Sequence, residues 1–271
     1  MNQDISICVL TEDEMGWTEP FELDKVQILD NYYLSAQKSD IAFLKKMDTA
    51  RLLAGFRTTA GIDTKGVRPY GGWEDSLLGG HCVGHYLTAL AQAVKVTGDK
   101  ELKEKSQTLI AGLEECQKKL GTGFLFGAKV EDKEDVEKQF DILEGKKKGE
   151  TWVPWYNMHK VLAGLVDTYK YTGNETALLV AEKLGDWIYE RVSKWDLKTN
   201  QKVLETEYGG MNDCLYELYS YSHNKHHLEA AQKFDEKALF LMAAKGEKNC
   251  LDGKHANTQI SLSVRLSDIM C

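Results

Sequence analysis

A helix–turn–helix unit recurs along this chain, and a recurring supersecondary unit restricts the accessible folds more than any single motif does. The segment GHYLTALAQAVKVTGDKELKEKSQTLIAGLEECQ, starting at Gly84, aligns with HKVLAGLVDTYKYTGNETALLVAEKLGDWIYERV from His159. It aligns more loosely with GGMNDCLYELYSYSHNKHHLEAAQKFDEKALF from Gly209. In the second copy Val161, Leu162, Leu165, Val166 and Tyr169 fall on one helical stripe, and Ala181, Leu184, Trp187 and Ile188 on another. That is the spacing of helices that each bury one face. Gly98 and Gly173 can adopt the left-handed conformation that ends a helix, and Asp99 and Asn174 can cap the next. The third copy lacks that glycine, and Asn224 is its candidate for the permissive position. Upstream, LDKVQILDNYYLSAQ and SDIAFLKKMDTARLLAGF read as a further pair, with Ser39 as N-cap. Only three prolines interrupt the chain. The pattern predicts an all-α fold with about eight helices in four hairpins.

Composition narrows the function. The 271 residues carry 34 Lys and Arg against 42 Asp and Glu, a formal net charge of −8. Such a surface repels phosphate backbones and anionic lipid, which argues against nucleic acid and membrane partners and leaves a neutral ligand as the better fit. No apolar run is long enough to span a bilayer, and the opening MNQDISICVLTEDEM lacks the pattern of a secretory signal, so a cytoplasmic location is expected. The cysteines Cys8, Cys82, Cys116, Cys214, Cys250 and Cys271 show no C-x-x-C spacing. They are expected to be reduced, buried, small apolar residues.

The segments 57–78, 119–151 and 194–207 are far longer than the turns within hairpins. If the hairpins stack side by side, these long loops gather at one end, where binding residues usually sit. The helix starts on that side read GGWEDSLLGGHCVGH, TWVPWYNMHK, EYGGMND and KHANTQI. They supply His85, His159, His255 and Asn257 together with the acids Glu74, Asp75, Glu207 and Asp213. Trp73, Trp152, Trp155 and Tyr156 add flat apolar faces. Donors, acceptors and aromatic faces at helix amino ends suit a polyhydroxylated sugar. Packing offers an alternative for each: a loop-anchoring core role for the tryptophans, a satisfied core histidine for His159, and helix capping for Glu74 and Asp75. His81 and His85 stand four apart on one helical face, but with no third ligand evident in the sequence no metal ligand is assigned. His226 and His227 are expected at the surface, and EDKEDVEKQF and GKKKGE as solvated loop faces.

At these residues the chain resembles the β-L-arabinofuranosidase family of glycoside hydrolases. The stretches that carry the resemblance are LLAGFRTTAGI, YGGWEDSLLGGHCVGHYLTALA, the ECQ at Glu115 to Gln117, WVPWYNMHKVLAGLVDTYKYTGN, EYGGMNDCLYELY and HANTQI. The resemblance implies an (α/α)6 toroid, six helical hairpins in a ring with a sugar pocket at one rim, of which about eight of twelve helices would lie in this chain. It divides the chain into an N-terminal extension (1–20), a partial toroid (21–260) and an off-pattern tail (261–271). It places His85, His159, Glu207, His255 and Asn257 on pocket-lining positions, to which the aromatic argument adds Trp73 and Trp155 as substrate-binding candidates.

The family reaction this resemblance implies is retaining hydrolysis of terminal β-L-arabinofuranosyl residues of plant-type glycans. Its nucleophile is a zinc-bound cysteine beside a Glu-x-Cys motif and a further cysteine, with a separate glutamate as acid/base. Those elements are expected beyond HANTQI, so no catalytic residue and no cofactor is assigned to this chain, zinc being expected in complete family members. The chain alone is expected to be inactive, and a toroid lacking two hairpins should expose apolar edges for self-association or for a companion chain. Two other readings remain: a non-catalytic helical-repeat interaction protein, and another toroidal enzyme acting on uronides, with Arg57, Arg68 and Lys160 as the nearby cations.

Overall fold

The computed structural model describes residues 21–130, 132–245 and 252–253. Its helices are α1 (Asn31–Lys46), α2 (Thr49–Thr59), α3 (His81–Thr97), α4 (Lys100–Leu120), α5 (Lys138–Leu143), α6 (Pro154–Thr172), α7 (Glu175–Val192), α8 (Leu197–Leu204), α9 (Met211–Ser222), α10 (Lys225–Gln232) and α11 (Lys237–Ala244). There is no strand among the described residues. Four hairpins are closed by short turns: α1–α2, α3–α4, α6–α7 and α9–α10.

Contacts between hairpins run in two series. Helix α1 touches α3, α3 packs extensively on α6, and α6 on α9, while α2 touches α4, α4 touches α7, and α7 touches α10. The first helix of each hairpin therefore stands in one layer and the second in another, the arrangement of consecutive hairpins in an α/α ring. The cores of α3 and α6 are almost wholly enclosed: Val83, Leu87, Leu90, Met158, Leu162 and Leu165 lose nearly all solvent contact. Their axes cross where Gly84 and Gly164 meet, since a Cβ on Gly164 would stand 2.5 Å from the Gly84 carbonyl oxygen.

The turns follow the sequence reading with two corrections. Gly98 and Gly173 are left-handed, with φ of 65° and 67°, and Asp99 and Asn174 accept hydrogen bonds from the amides of Leu102 and Ala177. In the third copy it is His223 that takes the left-handed conformation (φ 52°), while Asn224 caps α10 by accepting from the His226 amide. Asn224 is thus the cap, because its side-chain oxygen serves the next helix better than its backbone would serve the turn. In the first hairpin Ser39 lies inside α1, its hydroxyl donating to the Ser35 carbonyl. The break falls instead at Met47–Asp48, where Asp48 accepts from the amides of Ala50 and Arg51.

A capping difference sets α3, α6 and α9 apart from the other hairpin helices, α1 included, where Asp30 accepts from the Tyr32 and Tyr33 amides. Helices α2, α4, α7 and α10 each start at an Asp or Asn whose side chain accepts from their first amides, whereas α3, α6 and α9 have no such cap. The segments 60–80, 121–153 and 193–210 deliver the chain to those three starts, which therefore lie at the same end of the fold. Their orphan amides and positive dipole ends must be met by groups from elsewhere.

GKKKGE (145–150) is exposed as expected, but EDKEDVEKQF, over 132–140, is only partly solvated and runs into a segment held down by Arg191. Arg191 of α7 donates to Glu144 (2.5 Å), Asp141 (2.5 Å) and Glu137 (2.9 Å), and the Glu144 side chain is wholly enclosed. Trp187 Nε1 adds a bond to Glu137 at 3.0 Å. These contacts fold the loop down over α7, because a buried guanidinium needs partners and the loop's carboxylates are within reach. His227 is also not at the surface. It is fully enclosed, with Nδ1 2.8 Å from the Ser222 hydroxyl and Nε2 3.3 Å from Asp186, while His226 stacks on Tyr189 outside.

Candidate carbohydrate site at the helix amino ends

Glu74 stands in the short 3-10 turn that precedes α3. Its carboxylate turns back over that helix start, Oε2 accepting from the Gly80 amide (2.9 Å) and Oε1 from the Cys82 amide (3.1 Å), so it supplies the cap that Gly80 cannot. Oε1 also lies 2.8 Å from Nδ1 of His81, and the same nitrogen is 2.8 Å from the Leu78 carbonyl oxygen. Both neighbours are acceptors, so Nδ1 must carry a proton, and Nε2 is left facing Cys82 Sγ at 3.7 Å. Burial works against charge on both Glu74 and His81. The bond to His81, with the Gly80 and Cys82 groups, nonetheless holds the carboxyl below its ordinary range, and bonds to Cys82, Glu74 and the Leu78 carbonyl raise the imidazole to about 10.

One turn further along α3, His85 is exposed, its ring edge-on to His81 with centroids 6.2 Å apart. Desolvation and the nearby charges of Lys160 and His81 lower its pKa. Trp73 is 66% exposed and tilts over His81.

From α6, Lys160 Nζ sits 4.8 Å from the centre of the Tyr156 ring. Burial lowers the Lys160 pKa, against the pull of Cys214 and Glu207. Burial also raises that of Tyr156, helped by the nearby Glu207 and Cys82. Glu207, partly exposed in the loop before α9, is thus close enough to act on both α6 residues.

His159 is buried, and its Nδ1 accepts from the Gly210 amide at 3.0 Å, meeting the uncapped start of α9. Desolvation, with Lys160 and His85 nearby, holds it well below its ordinary pKa, so the ring is neutral. Gly209 is required here: its φ is 61°, and a Cβ would fall 2.4 Å from His159 Nδ1.

The structure thus brings His85 and Glu207 of the expected set to one rim and leaves Trp73 exposed beside His81. Trp155 is elsewhere. It is fully enclosed among Phe140, Trp187, Trp195 and Phe234, with ring centroids 4.8 to 6.0 Å away. As the second residue of α6 it points inward, so the loop-anchoring role applies, and Trp155 is a core residue rather than a stacking surface. His159 likewise holds α9 in place instead of facing solvent. His255 and Asn257 lie outside the described residues. A cleft of about 440 Å³ between α4 and the α6–α7 turn, lined by Ser106, Glu114 and Asn174, is at the opposite end of α6 from these groups.

The sequence reading treated Cys82 as core filler, yet it is only partly buried and lies against His81. Its position in the first turn of a helix beside a histidine was the available signal. Glu74, His81 and Cys82 form the group among the described residues whose ligand atoms all lie within 4.8 Å of one another. The zinc set implied by the family resemblance is a different one and is not met by the described residues. The chain's Glu-x-Cys spelling, Glu114 to Cys116, lies in α4. Cys116 there is buried, its thiol pushed by desolvation to about 12, while Glu114 pairs with Lys118 at the surface. No helix among the described residues is long and apolar enough to cross a membrane.

Layered helical hairpins, with polar and aromatic side chains at the starts of α3, α6 and α9, define an α/α hairpin type of fold. The chain belongs to the family described as "Beta-L-arabinofuranosidase, GH127 catalytic domain", whose description matches residues 25–270. Two solved structures are similar to it. One is the GH127 β-L-arabinofuranosidase Ara127N-Se from Geobacillus stearothermophilus T6, with 18% identity and a TM-score of 0.47 over 84% of this chain. The other is the GH127 β-arabinofuranosidase BT3674, with 17% identity and a TM-score of 0.54 over 82% of this chain. The likeness to the second shows that the hairpin fold is part of a GH127 barrel. The chain spans about a third of the length of each, 34% in both cases. No curated protein matches it.

Proposed function

We propose that this chain supplies part of the sugar-binding rim of a β-L-arabinofuranosidase and, by itself, binds a terminal β-L-arabinofuranosyl group without hydrolysing it. The observation that carries this is the convergence of the starts of α3, α6 and α9, none of them capped by its own N-cap side chain, with His85, Lys160 and Glu207. Imidazole and ammonium donors, a carboxylate acceptor and the exposed face of Trp73 match the alternating hydroxyls and C–H face of a neutral sugar. Hydrolysis by a metal-held thiol needs an ionisable, accessible cysteine. Cys116 and Cys214, both buried with thiols raised by desolvation, do not meet that need, and Cys82, the partly exposed one among the described residues, stands at the start of α3, apart from the Glu-x-Cys set to which the resemblance assigns the nucleophile.

Calorimetry with an aryl β-L-arabinofuranoside tests the reading. The expected result is binding that weakens about tenfold in His85→Ala or Glu207→Gln, with no release of the aryl group. Absence of any binding would remove the sugar reading, and turnover abolished by chelation would remove the claim of inactivity.

A second reading concerns association. Tyr32, Tyr33 and Phe43 on α1 are 61% exposed or more, and Leu29 just before it is 80% exposed. Such a patch favours contact with a second copy or a companion chain, and sedimentation that finds only monomer at high concentration would count against it. The uronide alternative loses ground, because Arg57 is engaged by Glu115 at 3.0 Å.

A further inference from the structure

We propose that the cleft of about 440 Å³ between α4 and the α6–α7 turn is a second carbohydrate site, one that holds a short neutral stretch of a glycan chain away from the rim. Its shape comes from the way two helices meet. Gln117 pins α4 to α7, its amide donating to the Val180 carbonyl at 3.0 Å, and from that point back toward its start α4 runs beside the α6–α7 turn instead of beside α7. The space left between them falls in the range of about 300–1,000 Å³ that small ligands occupy. Both walls belong to consecutive hairpins of this chain, so the cleft needs no further hairpin to form.

The hydroxyl of Ser106 points to a ligand. Inside a helix such a hydroxyl commonly donates to the carbonyl four residues back. Thr108 does so on the same helix, to Glu104, and Ser39, Thr58, Thr97 and Thr168 do so on others. Ser106 does not. It is 3% exposed, it lines the cleft, and its Oγ has no hydrogen-bond partner among the described residues. A buried hydroxyl without a partner destabilises the fold, and a ligand oxygen seated against it relieves that loss. The rest of the lining sets the ligand's class. Gln107 on the α4 wall and Asn174 and Thr176 on the other carry amides and a hydroxyl, groups that both donate and accept, as sugar hydroxyls do. Ala111, exposed on α4, adds a small apolar surface for a C–H face. Lys103 and Glu114 bring one charge of each sign, and Glu114 pairs with Lys118 at 2.7 Å, so the lining offers no cluster of cations for a phosphate or carboxylate ligand. No aromatic ring stands among the lining residues, so the sugar is held by hydrogen bonds and the binding is weak.

Helix α6 has 19 residues and is therefore about 28 Å long, which separates the cleft from the rim by more than one sugar can span. The two ends can be titrated apart. Amide chemical-shift titration of the full chain with α-1,5-arabinotriose, xylotriose and cellotriose, neutral oligosaccharides without a β-L-arabinofuranosyl end, tests the cleft. The expected result is that at least one of them shifts the amides of 103–114 and 172–176. That binding should weaken about three- to tenfold in Ser106→Ala, the loss of one neutral hydrogen bond. It should vanish in Ala111→Tyr, which fills the cleft from an exposed position and keeps the fold and the parent's affinity for an aryl β-L-arabinofuranoside at the rim. No shift with any of the three sugars, shifts confined to other residues, or binding undiminished by Ser106→Ala or Ala111→Tyr overturns the proposal, whatever the aryl glycoside does at the rim.

Discussion

Gly84 presents its bare Cα to the backbone of Lys160: a Cβ placed there would lie 1.8 Å from the Lys160 carbonyl oxygen and 2.7 Å from the Val161 nitrogen. The obstacle is backbone, not a flexible side chain, so it cannot step aside. This contact sets the distance between α3 and α6 and with it the spacing of His85 from Lys160, one on each helix.

Gly84→Ala is therefore expected to destabilise the fold by about 3 kcal/mol or more, the upper end of overpacking costs. Gly71 is the control, because a Cβ added there would meet nothing within 4 Å and its φ is not positive. Gly71→Ala should stay within about 0.5 kcal/mol of the parent. Urea denaturation midpoints of the two variants check the contrast.

Trp73, in the turn before α3, and Trp155, in the first turn of α6, should separate stability from binding. Trp155→Ala removes a fully enclosed side chain from an aromatic cluster and should cost about 3–5 kcal/mol. Trp73→Ala, at an exposed position, should leave the melting temperature nearly unchanged and weaken arabinofuranoside binding. A Trp73→Ala variant that binds as tightly as the parent would remove Trp73 from the site.

Arg191→Ala should cost about 3 kcal/mol, because the enclosed Glu144 carboxylate loses its guanidinium partner and keeps only Lys146, at 2.5 Å. Glu137→Gln touches the same arginine from a position 31% exposed and should cost less than about 1 kcal/mol. Thermal denaturation of both variants, and of Arg191→Ala combined with Glu144→Gln, measures the coupling. The double variant should recover part of the loss.

His159 makes acid destabilising in a defined window. Its folded pKa lies well below the unfolded value of about 6.5. Between the two values the unfolded chain binds a proton that the folded chain refuses, so this contribution is complete above about pH 6.5 and is lost as the pH falls toward the folded pKa. His159→Gln, whose amide oxygen can still accept from Gly210, should flatten the fall in stability between about pH 7 and 5 relative to the parent. Equal slopes in the two proteins would contradict the buried, neutral ring.

The hairpins were legible because local chemistry wrote them: apolar stripes at helical spacing, a left-handed glycine and a capping Asp or Asn after it. The same logic slipped at Ser39, where a good capping residue sits inside α1. Asp48 marks the break because its backbone is extended just ahead of α2, where its carboxylate accepts from the Ala50 and Arg51 amides, while the Ser39 hydroxyl donates to the Ser35 carbonyl inside α1. Of the candidates placed at helix starts, His85 and Trp73 are exposed and Glu207 is partly exposed. Trp155 was placed there on the same ground and proved to be core, since helical phase, not nearness to the loop, decides whether a residue faces the rim or the interior.

Periodicity and turn chemistry act over a few residues, so the sequence by itself determined the number of hairpins, their order and the end at which the long loops gather. Which polar groups meet which could be decided only by packing. Glu74 with His81 and Cys82, His159 with Gly210, and Arg191 with three carboxylates of a loop about fifty residues away are pairings between separate elements. They exist because buried amides and charges accept whatever partner the assembled helices bring within about 3 Å.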